Sequence, residues 1–122
     1  MEGGYIYMFI PAKFYIMVGN SSFFIRKSDS DIKTEIHLET FAPYIPPYHH
    51  LFDENKSTYL LDIKSQVRKL KMKNATIILP DDGVDLAVER KILAGFFAEN
   101  GVNRIHVTFQ CFLLNLDNKK IP

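Results

Sequence analysis

The run Ala75–Leu79, bounded by Asn74 and Pro80, is short, rich in β-branched residues and free of charge. A strand with one wet face alternates apolar and polar residues. This one does not, which is how a strand reads when both of its faces are covered. Such a strand belongs inside an α/β sheet, so its flanks should be amphipathic helices leading to further strands. Both flanks agree. Upstream, Leu60, Ile63, Val67 and Leu70 recur at spacings of 3, 4 and 3, and Lys64, Arg68, Lys69, Lys71 and Lys73 decorate the other side. This predicts a helix over about 58–73, with Ser57 as N-cap. Downstream, Asp81-Asp82-Gly83 is a turn, and Asp82 or Asp85 can cap a helix over about 85–99. Leu86, Ile92, Leu93, Phe96 and Phe97 line its inner side, and Gly101 sits where a left-handed C-terminal cap is expected.

The first third reads as β. Tyr5–Ile10 and Phe14–Val18 are aromatic and β-branched runs, Gly19-Asn20-Ser21-Ser22 is turn chemistry, and Phe23–Arg26 resumes, so 14–26 reads as a hairpin. From Ile32 to Phe41 the chain alternates. Ile32, Thr34, Ile36, Leu38 and Thr40 share one face, and Lys33, Glu35, His37 and Glu39 the other. Arg104–Phe109 is a further short strand, and Gln110–Leu116 is apolar enough to begin a last helix. The order is thus three strands, helix, strand, helix, strand, helix. It predicts an α/β fold with a five-stranded mixed sheet in which strands 1, 4 and 5 run parallel. Helices pack on its faces, two of them covering one face well and the other partly. Leu79, Ile92 and Phe96 are the expected core. With 122 residues, 47% of them hydrophobic, residues 1–122 form one domain.

The bulk charge excludes several classes. Fifteen Lys and Arg against fourteen Asp and Glu leave +1, which speaks against nucleic acid as a partner of the whole molecule. The single cysteine, Cys111, excludes a disulfide framework and fits a reducing, cytoplasmic or nuclear compartment. Tyr5–Val18 is broken by Pro11 and Lys13, too short to span a membrane.

Chemistry-bearing residues are sparse. His49-His50 lie in a Pro-rich connection and read as a solvated loop. His37 falls on a strand's polar face, and His106 inside a buried strand. Cys111 has no basic neighbour to activate it, and no spacing suits a metal. Asp81, Asp82 and Asp85 are an acidic turn at a strand end, the place where a metal-dependent hydrolase on such a sheet would hold its ion. The basic helix 58–73 is the place for an RNA contact, although no aromatic lies among its cations to stack a base. Large apolar residues concentrate in two other places. One is the aromatic loop Phe41–Phe52, with Tyr44 and Tyr48. The other is the segment carrying Phe112, Leu113, Leu114 and Leu116. Tyr44, Tyr48, Phe112, Leu113 and Leu116 are the candidate partner-binding residues.

The succession Ala75-Thr-Ile-Ile-Leu-Pro80, Asp81-Asp-Gly83, Glu89-Arg90-Lys91-Ile-Leu-Ala-Gly-Phe-Phe-Ala98, Val102–Val107, Gln110 and Leu113-Leu114 resembles actin and the actin-related proteins. Tyr7–Ile10, Phe14–Gly19 and Phe23–Arg26 are similar to that family's opening hairpin. The resemblance, over residues 5–115, implies a ribonuclease-H-like sheet of the actin-like subdomain type. In the family, the first hairpin turn carries an Asp and a Gly/Ser-rich loop that cradles phosphate. Here Ile10-Pro11-Ala12-Lys13-Phe14 is expected in that place, without carboxylate or Gly. The chain also ends near Pro122, leaving no opposing lobe. The resemblance therefore implies a degenerate, pseudo-nucleotide-binding half-domain. It would bind no nucleotide or other cofactor, have no catalytic activity, and serve as a docking subunit of a larger cytoskeletal or chromatin-associated assembly.

Overall fold

A computed structural model describes residues 12–80 and 86–109. Its elements follow the order β1 (Lys13–Val18), β2 (Ser22–Lys27), β3 (Lys33–His37), α1 (Ser57–Lys69), β4 (Asn74–Leu79), α2 (Leu86–Glu99) and β5 (Arg104–Phe109). The five strands form one mixed sheet in the order β3-β2-β1-β4-β5. β2 runs antiparallel to β1 and β3, while β1, β4 and β5 are parallel. An α/β fold with a five-stranded mixed sheet and two helices is what the element order predicts.

Register decides which residues share a face. Ile16 lies beside Ile25 and Ile77, and Ile77 beside Val107. Strand alternation then places Ile16, Val18, Phe23, Ile25, Ile36, Ala75, Ile77 and Leu79 on one face. All of them join Leu60, Ile63 and Val67 of α1 and Leu93, Phe96 and Phe97 of α2 in a single apolar cluster. Both helices therefore cover the same face. Ile78, on the opposite side of β4, is buried but stands outside that cluster. Leu79 and Phe96 are core residues, and Ile92 packs against the core partly buried.

Several local expectations shift. α1 stops at Lys69 because Lys71 takes the left-handed conformation, φ 52°, that usually ends a helix on Gly. Gly101, φ 101°, plays the same role after α2. Ser57 begins α1 as its first helical residue, so Lys56 occupies the cap position without a side-chain cap bond. Ile32 is 76% exposed, outside β3, because the ladder begins only at Lys33. His106 faces solvent: β4 is covered on both sides, but its neighbour β5 is an edge strand.

The hairpin expected over residues 14–26 forms with its turn where the sequence puts it. Lys13 and Phe14 belong to β1, so the turn joining β1 to β2 is Gly19-Asn20-Ser21, closed by the Gly19 N–H donating to the Ser22 carbonyl at 2.9 Å. Of the stretch Ile10–Phe14, Lys13 and Phe14 pair inside the sheet, while Ile10 and Pro11, like the strand expected over Tyr5–Ile10, lie outside the described residues. The β1–β2 turn carries Gly and Ser but no carboxylate.

Candidate functional site

The connection from β3 to α1 is held firmly at its base and left bare at its tip. Proline fixes φ and removes a donor, so residues 43–47 cannot continue a strand. Instead Pro47–His50 forms a 3-10 turn that drives Tyr48 and Leu51 inward, 7% and 1% exposed. Its two histidines are not solvated, as the sequence suggested, but tethered. His49 Nε2 lies 2.8 Å from Glu89 Oε1 in the first turn of α2, and its ring meets Tyr48 edge-on. His50 Nδ1 lies 2.6 Å from Asp53 Oδ2, which also accepts Lys56 Nζ at 3.4 Å. Phe41 closes the other side. Its ring meets His50 and Tyr59 edge-on, and the Lys56 ammonium stands 4.5 Å over its face. The Tyr59 hydroxyl accepts the Glu39 N–H at 2.9 Å, and burial pushes its pKa up.

Above this base the chain turns through Ala42–Ile45, with the Ile45 N–H donating to the Ala42 carbonyl at 3.3 Å. Tyr44 at the apex is 95% exposed, and Ile45 beside it 42%. Of the candidate contact residues, the structure thus places Tyr44 outside and Tyr48 inside. Tyr48 anchors the loop and offers no surface to a partner, because the 3-10 turn rotates it under the aromatic roof. Phe112, Leu113 and Leu116 lie outside the described residues.

The Asp53 carboxyl is held below its ordinary value of 3.8, chiefly by the His50 hydrogen bond. A depressed folded-state pKa contributes stability that is fully present above the unfolded value and lost as pH falls through the folded one. Asp53→Asn should therefore flatten the acid limb of a denaturation midpoint measured against pH. Its profile should meet the wild-type profile once both fall well below pH 3.8. Parallel profiles across that range would show that Asp53 carries none of the acid dependence.

Two other clusters bring chemistry-bearing residues together. On β2 and β3, the Ser22 hydroxyl donates to Glu35 Oε2 at 2.8 Å and lies 3.3 Å from His37 Nδ1. The residue types are those of nucleophilic catalysis, but the hydroxyl is given to the acid, not the imidazole, and Ser22 is 4% exposed. The cluster ties two strands together. On the basic helix, Arg68, Lys71 and Lys73 line a cleft of about 310 Å³ with Glu99, Asn100 and Gly101. Arg68 Nε donates to Asn100 Oδ1 at 3.0 Å, and Asn100 donates onward to the Phe96 carbonyl at 2.7 Å. The cleft lies at the C-terminal ends of both helices, where cations offset the negative pole of the helix dipole. No aromatic side chain lines it. Asp81, Asp82 and Asp85 lie outside the described residues, among which no group of three or more His, Cys, Asp or Glu could hold a metal ion. Nor, among them, is any helix long and apolar enough to cross a membrane.

The fold defines a small α/β domain with a two-helix-covered mixed sheet. No family model matches the chain, and no curated protein or solved structure matches it either.

The two features that sequence reasoning missed carried different signals. Glu89 and Asn100 are buried at 3% and 5%. Glu89 on α2, and Asn100 just past its end, stand at intervals of four from Leu93 and Phe96, so polar residues in register with an apolar stripe mark them. The pairing of His49 with Glu89, 40 residues apart, leaves no local trace.

Proposed function

We propose that this chain is a non-catalytic, actin-like interaction module that docks into a larger protein assembly without nucleotide turnover. The observation that carries the reading is the Tyr44 loop. A large aromatic 95% exposed, set between Pro43 and Pro46 on a tethered base, gives up little conformational freedom when a partner covers it. The meander, helix, strand, helix, strand order of the described elements supports a ribonuclease-H-like sheet of the actin-like subdomain type. The β1–β2 turn supports the absence of nucleotide gripping. It has no carboxylate, and its Gly19 N–H is already committed to the Ser22 carbonyl.

Tyr44→Ala separates docking from folding. Its side chain touches little of its own chain, so stability should change by less than about 0.5 kcal/mol. Affinity capture with mass spectrometry on the full chain should recover a defined set of subunits that the variant loses at least tenfold. The same subunits recovered equally by both proteins would overturn the docking role of this loop.

A further inference from the structure

The face of the sheet that neither helix covers carries a pattern hidden by the chain's near-zero net charge. Register puts Lys33, Arg26 and Tyr15 in one row across β3, β2 and β1. Lys13 and Arg104, at the first positions of β1 and β5, stand in the next row on either side of Asn74. Phe24 lies on the same face, two residues before Arg26 and beside Met17. All four cations are exposed, and none has an ion-pair partner among the described residues. The neighbouring Lys27, which does pair with Asp29, points to the other face. Against the four cations this face carries one carboxylate among the described residues, Glu35, already engaged by Ser22.

Two rings sit among these charges. Phe24 is 44% exposed, and Tyr15 is half-buried with the Lys13 ammonium 5.6 Å from its ring centre. The Phe24 ring is held in place by what lies under it. A Cβ built on Gly19 would come within 2.8 Å of its Cε2, so the bare glycine makes room for the ring at the hairpin turn. Tyr15 and Phe24 are diagonal neighbours on adjacent strands, about 7–8 Å apart at their backbones. Thr76, Ile78 and Thr108 on this side are buried, so the open platform belongs to β1, β2 and β3, with Arg104 at its margin.

We propose that this sheet face binds single-stranded nucleic acid, stacking unpaired bases on Phe24 and Tyr15 while Lys13, Arg26, Lys33 and Arg104 neutralise the phosphates. Charge complementarity selects a polyanion, and the two rings select one with exposed aromatic faces. A sheet surface with aromatics bordered by cations meets both demands, and stacking tolerates any base. A duplex offers no free base face to the rings. The basic cleft at the helix ends, which has no ring, takes no part.

Fluorescence anisotropy of the full chain with labelled 12-nucleotide oligouridine RNA and oligothymidine DNA tests the proposal. Saturable binding at 50 mM salt is expected, with a log–log salt slope of about −3 for four phosphates. Phe24→Ala should weaken it roughly tenfold with little change in slope. Arg26→Glu combined with Lys33→Glu should weaken it further and roughly halve the slope. Both sets of positions are exposed, so unchanged thermal melting should accompany these losses. Comparison of the RNA and DNA arms shows whether the 2′-hydroxyl contributes. Absence of saturable binding to either strand would overturn the proposal, as would equal affinity for Phe24→Ala or equal binding of heparin. A dimer in solution that Phe24→Ala dissociates, without nucleic-acid binding, would instead assign the face to a second copy of the chain.

Discussion

Phe96→Ala should cost about 3–5 kcal/mol, because the ring has no exposure at all and its loss leaves a cavity in a packed core. It is the hinge of an aromatic group that joins three parts of the molecule. Its ring meets Phe97 at 5.4 Å between centroids and Phe52 at 6.4 Å, both nearly perpendicular. Phe97 in turn meets Phe23 of β2 at 5.2 Å. Removing the ring leaves a void under α2 whose walls belong to a sheet and a helix, elements that relax only in part. The Phe96 carbonyl also receives Asn100, so any shift of the helix turn disturbs the Arg68–Asn100 tie across to α1. Denaturant unfolding of the variant measures the loss. A change below about 1 kcal/mol would mean that this part of the core can repack around a missing ring.

Phe96 was legible in the sequence because a helix stripe and a covered strand are local patterns. Spacings of three and four identify one, and the absence of alternation identifies the other. The same locality explains the misses. The 3-10 turn that buries Tyr48 depends on proline geometry acting over four residues, and the alternation rule reaches only as far as a strand runs. Thus Ile32 looked like a strand residue while the ladder starts after it. The hairpin turn was visible as Gly19-Asn20-Ser21-Ser22. Its meaning for the phosphate-loop comparison came only with the pairing of Lys27 to Phe14, which commits that end of Ile10–Phe14 to the sheet. The basic, ring-bearing sheet face is the least local feature of all. Its members lie on four strands separated by up to 91 positions, from Lys13 to Arg104, so composition averages them with the acids of other surfaces. Register alone gathers them.

The second large effect concerns the tether between the docking loop and α2. Glu89 is 3% exposed, with one oxygen on His49 Nε2 and the other, Oε2, buried without a partner among the described residues. Its place in the first turn of α2 is favoured by the positive pole of the helix, which is one reason an acid is tolerated there. His49→Ala strands both oxygens and should cost about 1–3 kcal/mol, the usual penalty for a buried polar group that loses its partner. The lost energy should be concentrated in the loop. Amide exchange at Tyr48–Leu51 should accelerate in His49→Ala more than exchange in β1 or β4, since the pair ties this turn to α2. Replacing both members, His49→Leu with Glu89→Leu, removes the stranded group as well as the bond. The double variant should therefore be more stable than His49→Ala alone, even though it has lost the whole interaction. Because Tyr44 rides on this base, the double variant also shows whether docking needs the His49–Glu89 hydrogen bond or only a stable anchor. If it is no more stable than His49→Ala, the penalty comes from packing around residues 48–51, and the buried carboxylate is not its source.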